Sequence, residues 1–131
     1  GYCIVNDISE RSWQKERGGQ WIKGKSIAGP IGPYLVTKEE INDINNINLS
    51  LYVNGEKRQT GNTERMIFNF DFLISHISQF MTLYPGTIIT TGTPAGTAME
   101  MLEPKFLQNG DKLHLKVDFL GEQNQLIIGE N

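Results

Sequence analysis

Hydrophobic and polar positions along this chain follow mostly a two-residue period, and only one long stretch follows the period of a helix. Gly1 to Val5 is a nearly continuous apolar run, which suits a short strand buried on both faces. Tyr34 to Thr37 predicts a second short strand. Leu49 to Val53 alternates apolar and polar side chains, and Asn54-Gly55 supplies the pair that a type I′ turn prefers, because both central residues need positive φ. Glu56 to Thr60 is the returning strand, and Gly61-Asn62-Thr63 is expected to break the ladder. Thr87 to Thr91 is β-branched and predicts a further strand. Leu113, Leu115, Val117 and Phe119 alternate with His114, Lys116 and Asp118, the mark of a half-buried strand, which Gly121-Glu122 turns towards Gln125 to Ile128.

The helical stretch is Phe70, Leu73, Ile74, Ile77, Phe80 and Met81, spaced by threes and fours. Asn69 or Asp71 stands at its cap, and Leu83-Tyr84-Pro85-Gly86 closes it. A shorter helix is expected after Ser9, whose hydroxyl is suited to cap it. Counted from that cap, Arg11 and Gln14 share one face, turned back towards the end of the first strand. Between the strands, Lys15 to Gln20 predicts a mobile loop. Gly24 to Pro33 is a turn region without regular structure, and Lys38 to Asn48 a polar connection. Met99 to Lys105 follows neither period. With no repeat and no linker, the pattern predicts one domain, mainly β with one good helix (α+β).

Composition narrows the function classes. The 131 residues carry a net charge of −3, and Lys and Arg are scattered, so nucleic acid is not an expected partner. A lone cysteine, Cys3, forms no intrachain disulfide, which fits a reducing, cytoplasmic setting. No apolar run approaches the roughly 18 residues of a membrane span. The chain begins with Gly1 rather than Met, so an upstream portion is expected.

Candidate chemistry gathers near the first strand. Asp7 follows an apolar strand, as a helix-start carboxylate or as a hard ligand for a cation. Arg11 and Gln14 read as solvated surface or as binding groups. The string Gly19-Gln20-Trp21-Ile22-Lys23-Gly24-Lys25-Ser26 satisfies the phosphate-loop pattern, but the strand before it and the long helix after it that such a loop needs are missing. His76 reads as a core-edge histidine, His114 as a solvated one and Cys3 as packing. Trp13 and Trp21 either line a pocket or anchor loops. Thr93 stands between two strand-end glycines, where a hydroxyl and free backbone N–H groups suit a carboxylate.

Several strings, in order along most of the chain, together carry a resemblance. They are Asn6-Asp7-Ile8-Ser9-Glu10-Arg11-Ser12-Trp13-Gln14, Gly24-Lys25-Ser26, Gly32-Pro33, Val53-Asn54-Gly55-Glu56 with Arg58-Gln59, Gly61-Asn62-Thr63 before Met66-Ile67-Phe68, and Thr91-Gly92-Thr93-Pro94-Ala95-Gly96. The chain resembles the fumarylacetoacetate hydrolase family, in the branch of acylpyruvases, oxaloacetate decarboxylases and homoprotocatechuate-pathway isomerases. The stretch covered, residues 1–131, corresponds to the C-terminal part of a single catalytic domain.

The resemblance implies a mixed β-sandwich roll, a homodimer, and Mg²⁺ or Mn²⁺ held by three carboxylates. Asp7 matches one of these; the other two and the family's catalytic His belong to an upstream portion. By position, Lys25 is implied as the catalytic cation, and Arg11, Gln14 and Thr93 as binding groups for a 2-oxo acid. The family pattern commonly has an acidic residue where Ser12 stands, and its loss removes half of a capping box. The competing reading is an inactive fragment or a non-catalytic dimerisation module of the same fold.

Overall fold

The structure, a computed structural model, describes residues 1–15 and 29–129. The strands are β1 (Tyr2–Val5), β2 (Ile31–Val36), β3 (Asn48–Val53), β4 (Glu56–Asn62), β5 (Lys112–Val117) and β6 (Gly121–Leu126). Among the described residues the α-helices are α1 (Arg11–Lys15) and α2 (Phe70–Ser78). β1 and β2 form an antiparallel pair, and the other strands form a four-stranded antiparallel sheet in the order β4-β3-β5-β6. The predicted class, mainly β with one substantial helix, is the observed one.

The hairpin forms as its residues dictate. Asn54 has φ 52° and Gly55 φ 82°, and the register runs from Val53↔Glu56 to Asn48↔Asn62. The ladder therefore continues through Gly61-Asn62 instead of breaking there. Glycine fits at 61 because a Cβ would stand 2.9 Å from the Cβ of Pro94, so this end of β4 is where another segment packs. Asn54 also donates to Asp111 at 2.8 Å and accepts from the backbone N–H of Lys112 at 2.9 Å, which locks the turn onto the start of β5.

On β5, Leu113 and Leu115 point inward, while Lys112 and Lys116 face out. They join Ile4, Val36, Ile41, Ile47, Val53 and Leu120 in a core between the two sheets. Each such side chain stabilises the fold by about 1.5–3 kcal/mol relative to exposure. The alternation stops one step earlier than predicted. Phe119 has φ 65° and is exposed, because Asp118 to Leu120 is the turn into β6.

Three other expectations are corrected. Regular structure begins at Ile31, inside the supposed turn region: Val5↔Ile31 and Ile4↔Gly32 are paired, since β1 offers that segment a ladder. Thr87 to Thr91 is not a strand; among the described residues no neighbouring strand pairs with it, and β-branched composition alone does not make a ladder. His76 is exposed rather than at the core edge. It stacks on Phe72 at 5.8 Å and meets Phe80 edge-on at 5.1 Å.

α2 starts as predicted, Asn69 Oδ1 accepting from the N–H of Phe72 at 2.9 Å. None of its residues is fully buried, and Phe72, Ile74, Phe80 and Met81 stay exposed. Phe70 alone makes an aromatic contact with a strand, edge-to-face on Tyr2 at 5.4 Å. No described helix is long and apolar enough to cross a membrane.

Candidate active site

The end of β1 is shaped by a tight turn. The N–H of Ile8 donates to the carbonyl of Asn6 at 2.9 Å, so Asp7 is the central residue of a three-residue turn and its side chain stands exposed at the apex. The Ser9 hydroxyl donates to the Asp7 carbonyl at 3.4 Å and does not cap α1. Glu10 does so instead, its Oε1 accepting from the N–H of Ser12 at 2.9 Å and from its hydroxyl at 2.7 Å. A charged acceptor at the positive end of a helix outcompetes a neutral hydroxyl.

Arg11 and Gln14 meet as their spacing predicted, but with each other. Arg11 Nη1 donates to Gln14 Oε1 at 2.6 Å. Gln14 is buried, 1% exposed, and its Nε2 has no hydrogen-bond partner among the described residues. Neither residue is solvated surface, although Arg11 reaches an open groove and Gln14 does not line it.

That groove, about 1800 Å³, is lined by Asp7 and Arg11 from the segment after β1 and by Arg58, Gln59 and Thr93 from β4 and the loop packed on it. Trp13 and Cys3 also line it. Lys25 lies outside the described residues, as do Trp21, the phosphate-loop string 19–26 and the loop 16–20; of the predicted site residues, Asp7, Arg11 and Thr93 line the groove and Gln14 does not. Among the described residues no three His, Cys, Asp or Glu side chains gather to hold a metal. Asp7 suits one position on a hard cation, being a carboxylate at a turn apex on a groove wall.

Thr93 owes its place to the hairpin. Gln59 Nε2, on β4, donates to Thr93 Oγ1 and to the Pro94 carbonyl, both at 2.9 Å. Gly96, φ 106°, lets the backbone lie against β4, where a Cβ would stand 2.0 Å from the Arg58 carbonyl oxygen. Behind it, Glu100 Oε2 accepts from the N–H groups of Gly96 at 2.8 Å and Thr97 at 2.9 Å. Arg58 lies along the groove with Nη1 on Met101 Sδ at 3.5 Å, and its Nε approaches Glu56 at 3.5 Å without hydrogen-bond alignment.

The residues missed by pattern are the ones that hold others. Gln59 stood in a string used for resemblance, with no role attached. On β6, Gln123 and Gln125 occupy alternate positions, as inward residues do, so polar residues at inward spacing were the available signal. Gln123 is buried, 9% exposed. Replacing Gln59 by Met keeps the shape but removes two donated hydrogen bonds, worth about 0.5–1.5 kcal/mol each. The expected result is a KM raised by about tenfold with little change in Tm, read by steady-state kinetics and thermal melting. An unchanged KM would show that Thr93 is held by other means.

Acid should loosen the same loop. The backbone N–H groups of Thr97 and Gly96 hold the Glu100 carboxyl below its ordinary value of 4.5. The Gln108 N–H and the Asn54 amide do the same for Asp111, from 3.8. A depressed carboxyl contributes stability that is complete above the ordinary value and lost as pH falls through the lower, folded-state one. Tm is therefore expected to be flat from neutrality to about pH 5 and to fall below about pH 4. Glu100→Gln should lower Tm at neutral pH and converge on the wild type once acid has protonated the carboxyl in the folded state as well; parallel curves would rule the loop contact out.

Comparison with known proteins agrees with this geometry. The family profile described as fumarylacetoacetate (FAA) hydrolase C-terminal matches residues 1–128. A curated relative from Burkholderia ambifaria, provisionally named as a hydrolase, is 51% identical over 128 residues, which is 95% of this chain and 45% of the relative. A fumarylacetoacetate hydrolase from Exiguobacterium antarcticum superposes with a TM-score of 0.93 at 36% identity, over 99% of this chain and 47% of that one. A 2-hydroxyhepta-2,4-diene-1,7-dioate isomerase from Mycobacterium marinum does so at 0.82 and 34%, over 98% and 47%. The chain thus spans about half the length of the curated relatives it matches. With the hairpin and the turn-borne carboxylate both within the matched residues, the chain belongs to the fumarylacetoacetate hydrolase family.

Proposed function

We propose that the protein is a metal-dependent enzyme acting on a 2-oxo acid or β-dicarbonyl substrate. The reaction is C–C hydrolysis of an acylpyruvate type, decarboxylation of an oxaloacetate type, or isomerisation of a 2-hydroxyhepta-2,4-diene-1,7-dioate type. The supporting observation is that Asp7, Arg11 and Thr93, from distant parts of the chain, line one groove. Hydrolase and isomerase names among structures of the same fold support the breadth of the reaction class.

Residues 1–131 act, in this reading, as the C-terminal part of one catalytic domain. Asp7 supplies one carboxylate towards Mg²⁺ or Mn²⁺, with the remaining ligands outside the described residues. The cation, when bound, provides Lewis acidity towards a 2-oxo group, worth several kcal/mol. Arg11 orients a carboxylate of the substrate by a charge-assisted hydrogen bond, and Gln14 fixes the guanidinium. Thr93 offers its hydroxyl to a second carboxylate, while Gln59 holds it in register. Lys25 is assigned the role of a cation beside the reacting group, where negative charge grows. Location in the cytoplasm and assembly as a homodimer belong to the same proposal. The lone Cys3 and the exposed apolar side chains of α2 support them.

The test is turnover of acylpyruvates, oxaloacetate and the heptadienedioate by the full-length protein, with Mg²⁺ or Mn²⁺ and with chelator. Activity with one substrate, lost on chelation, is expected. No turnover of any, with the metal present, would leave the non-catalytic module as the better reading.

A further inference from the structure

A chain of side-chain amides, buried at Gln123 and Asn6 and half-buried at Gln125, runs from β6 to the residue before Asp7. Gln123 Nε2 points at three backbone carbonyls of the other sheet and its approach: Gly32 at 2.8 Å, Ile4 at 3.3 Å and Pro30 at 3.4 Å. Because carbonyls only accept, this nitrogen must donate, which turns Gln123 Oε1 towards Gln125. Gln125 Nε2 then donates to it at 2.7 Å, leaving Gln125 Oε1 to accept from Asn6 Nδ2 at 2.6 Å. Every amide orientation follows from the first, so none can flip without losing a bond.

Asn6 is also fixed through its backbone. Its N–H donates to Pro30 at 3.1 Å and its carbonyl accepts from Ile8, closing the turn that carries Asp7. Asn6 is itself buried, 9% exposed. The turn is therefore tied at one foot twice: by the Asn6 backbone to Pro30 at the entry of β2, and by the Asn6 side chain to a sheet that shares no ladder with β1.

We infer that Gln125 and Gln123 are positioning residues for Asp7: their amide relay sets where the Asp7 carboxylate stands on the groove wall. The inference deepens the proposed function and rests on Asp7 as a cation ligand. Residues that orient a metal ligand typically change metal affinity by about 10–100-fold when replaced. Gln125→Leu keeps the volume and removes both links of the relay. Gln125→Glu keeps the acceptor for Asn6 but loses the donor to Gln123, and serves if the first variant does not fold.

The experiment measures Mn²⁺ affinity of the full-length protein by titration calorimetry, and exchange of the Ile8 amide by hydrogen–deuterium exchange. Gln125→Leu is expected to weaken Mn²⁺ binding at least about tenfold and to speed exchange at Ile8 by a similar factor, with β3 and β5 unchanged. Asn54→Ala, which loosens the remote hairpin turn, is the control for general destabilisation: its Mn²⁺ affinity should match the wild type. Should Gln125 variants lose Tm yet keep both Mn²⁺ affinity and Ile8 protection, the relay is only a sheet-to-sheet tie and the inference falls. If Asp7→Asn leaves Mn²⁺ binding unchanged, the cation reading itself fails, and this inference with it.

Discussion

Asp7→Asn is expected to lower turnover by about a thousandfold or more while leaving the fold in place. The substitution preserves size and one oxygen but removes the charge that a hard divalent cation requires. Losing part of the several kcal/mol that a cation supplies to the reaction corresponds to such a factor, at 1.36 kcal/mol per tenfold in rate. Stability should hardly change, because Asp7 is exposed at the apex of its turn and the turn is closed by Asn6 and Ile8. The measurement pairs kcat/KM with thermal melting of the full-length protein. Full activity with an unchanged Tm would remove Asp7 from the chemistry.

Gly96→Ala should be the most damaging single methyl group in the described residues around Thr93. Two costs coincide there: φ is 106°, and the new Cβ would stand 2.0 Å from the Arg58 carbonyl oxygen. Backbone strain of this kind costs about 1–3 kcal/mol, and relieving the clash requires the 93–97 loop to lift from β4, so a total of about 3 kcal/mol or more is expected. Lifting the loop also breaks the Gln59 to Thr93 contact, so KM should rise with the loss of Tm. Gly92→Ala separates the two costs. Its φ is 91° but nothing among the described residues lies within 4 Å of an added Cβ, so strain alone applies, about 1–2 kcal/mol. Equal losses at the two positions would show that the contact with Arg58 contributes nothing.

Both predictions concern residues whose importance was unevenly legible. Asp7 stood out because a carboxylate closes an apolar strand, and Arg11 and Gln14 because helical spacing places them on one face. That spacing could not say what the face met. Gln14 turned inward and took Arg11 as its partner, since one turn of helix over a groove has a buried side even without an apolar stripe. Gly96 was visible only as one of several loop glycines.

Local chemistry, then, determined what local chemistry can. Asn54-Gly55 dictated its turn, Leu113 and Leu115 their buried face, Asn69 its cap, and the ordered strings the family, because each rests on neighbours in sequence or on residue identity alone. Tertiary structure decided the rest: that Thr87 to Thr91 finds no ladder, that Ile31 finds one, that His76 is exposed, and that Gln59, Gln123 and Gln125 hold the groove's residues in place. A hydrogen bond between residues more than a hundred positions apart leaves no period in the sequence. Only the folded chain brings its donor and acceptor within reach.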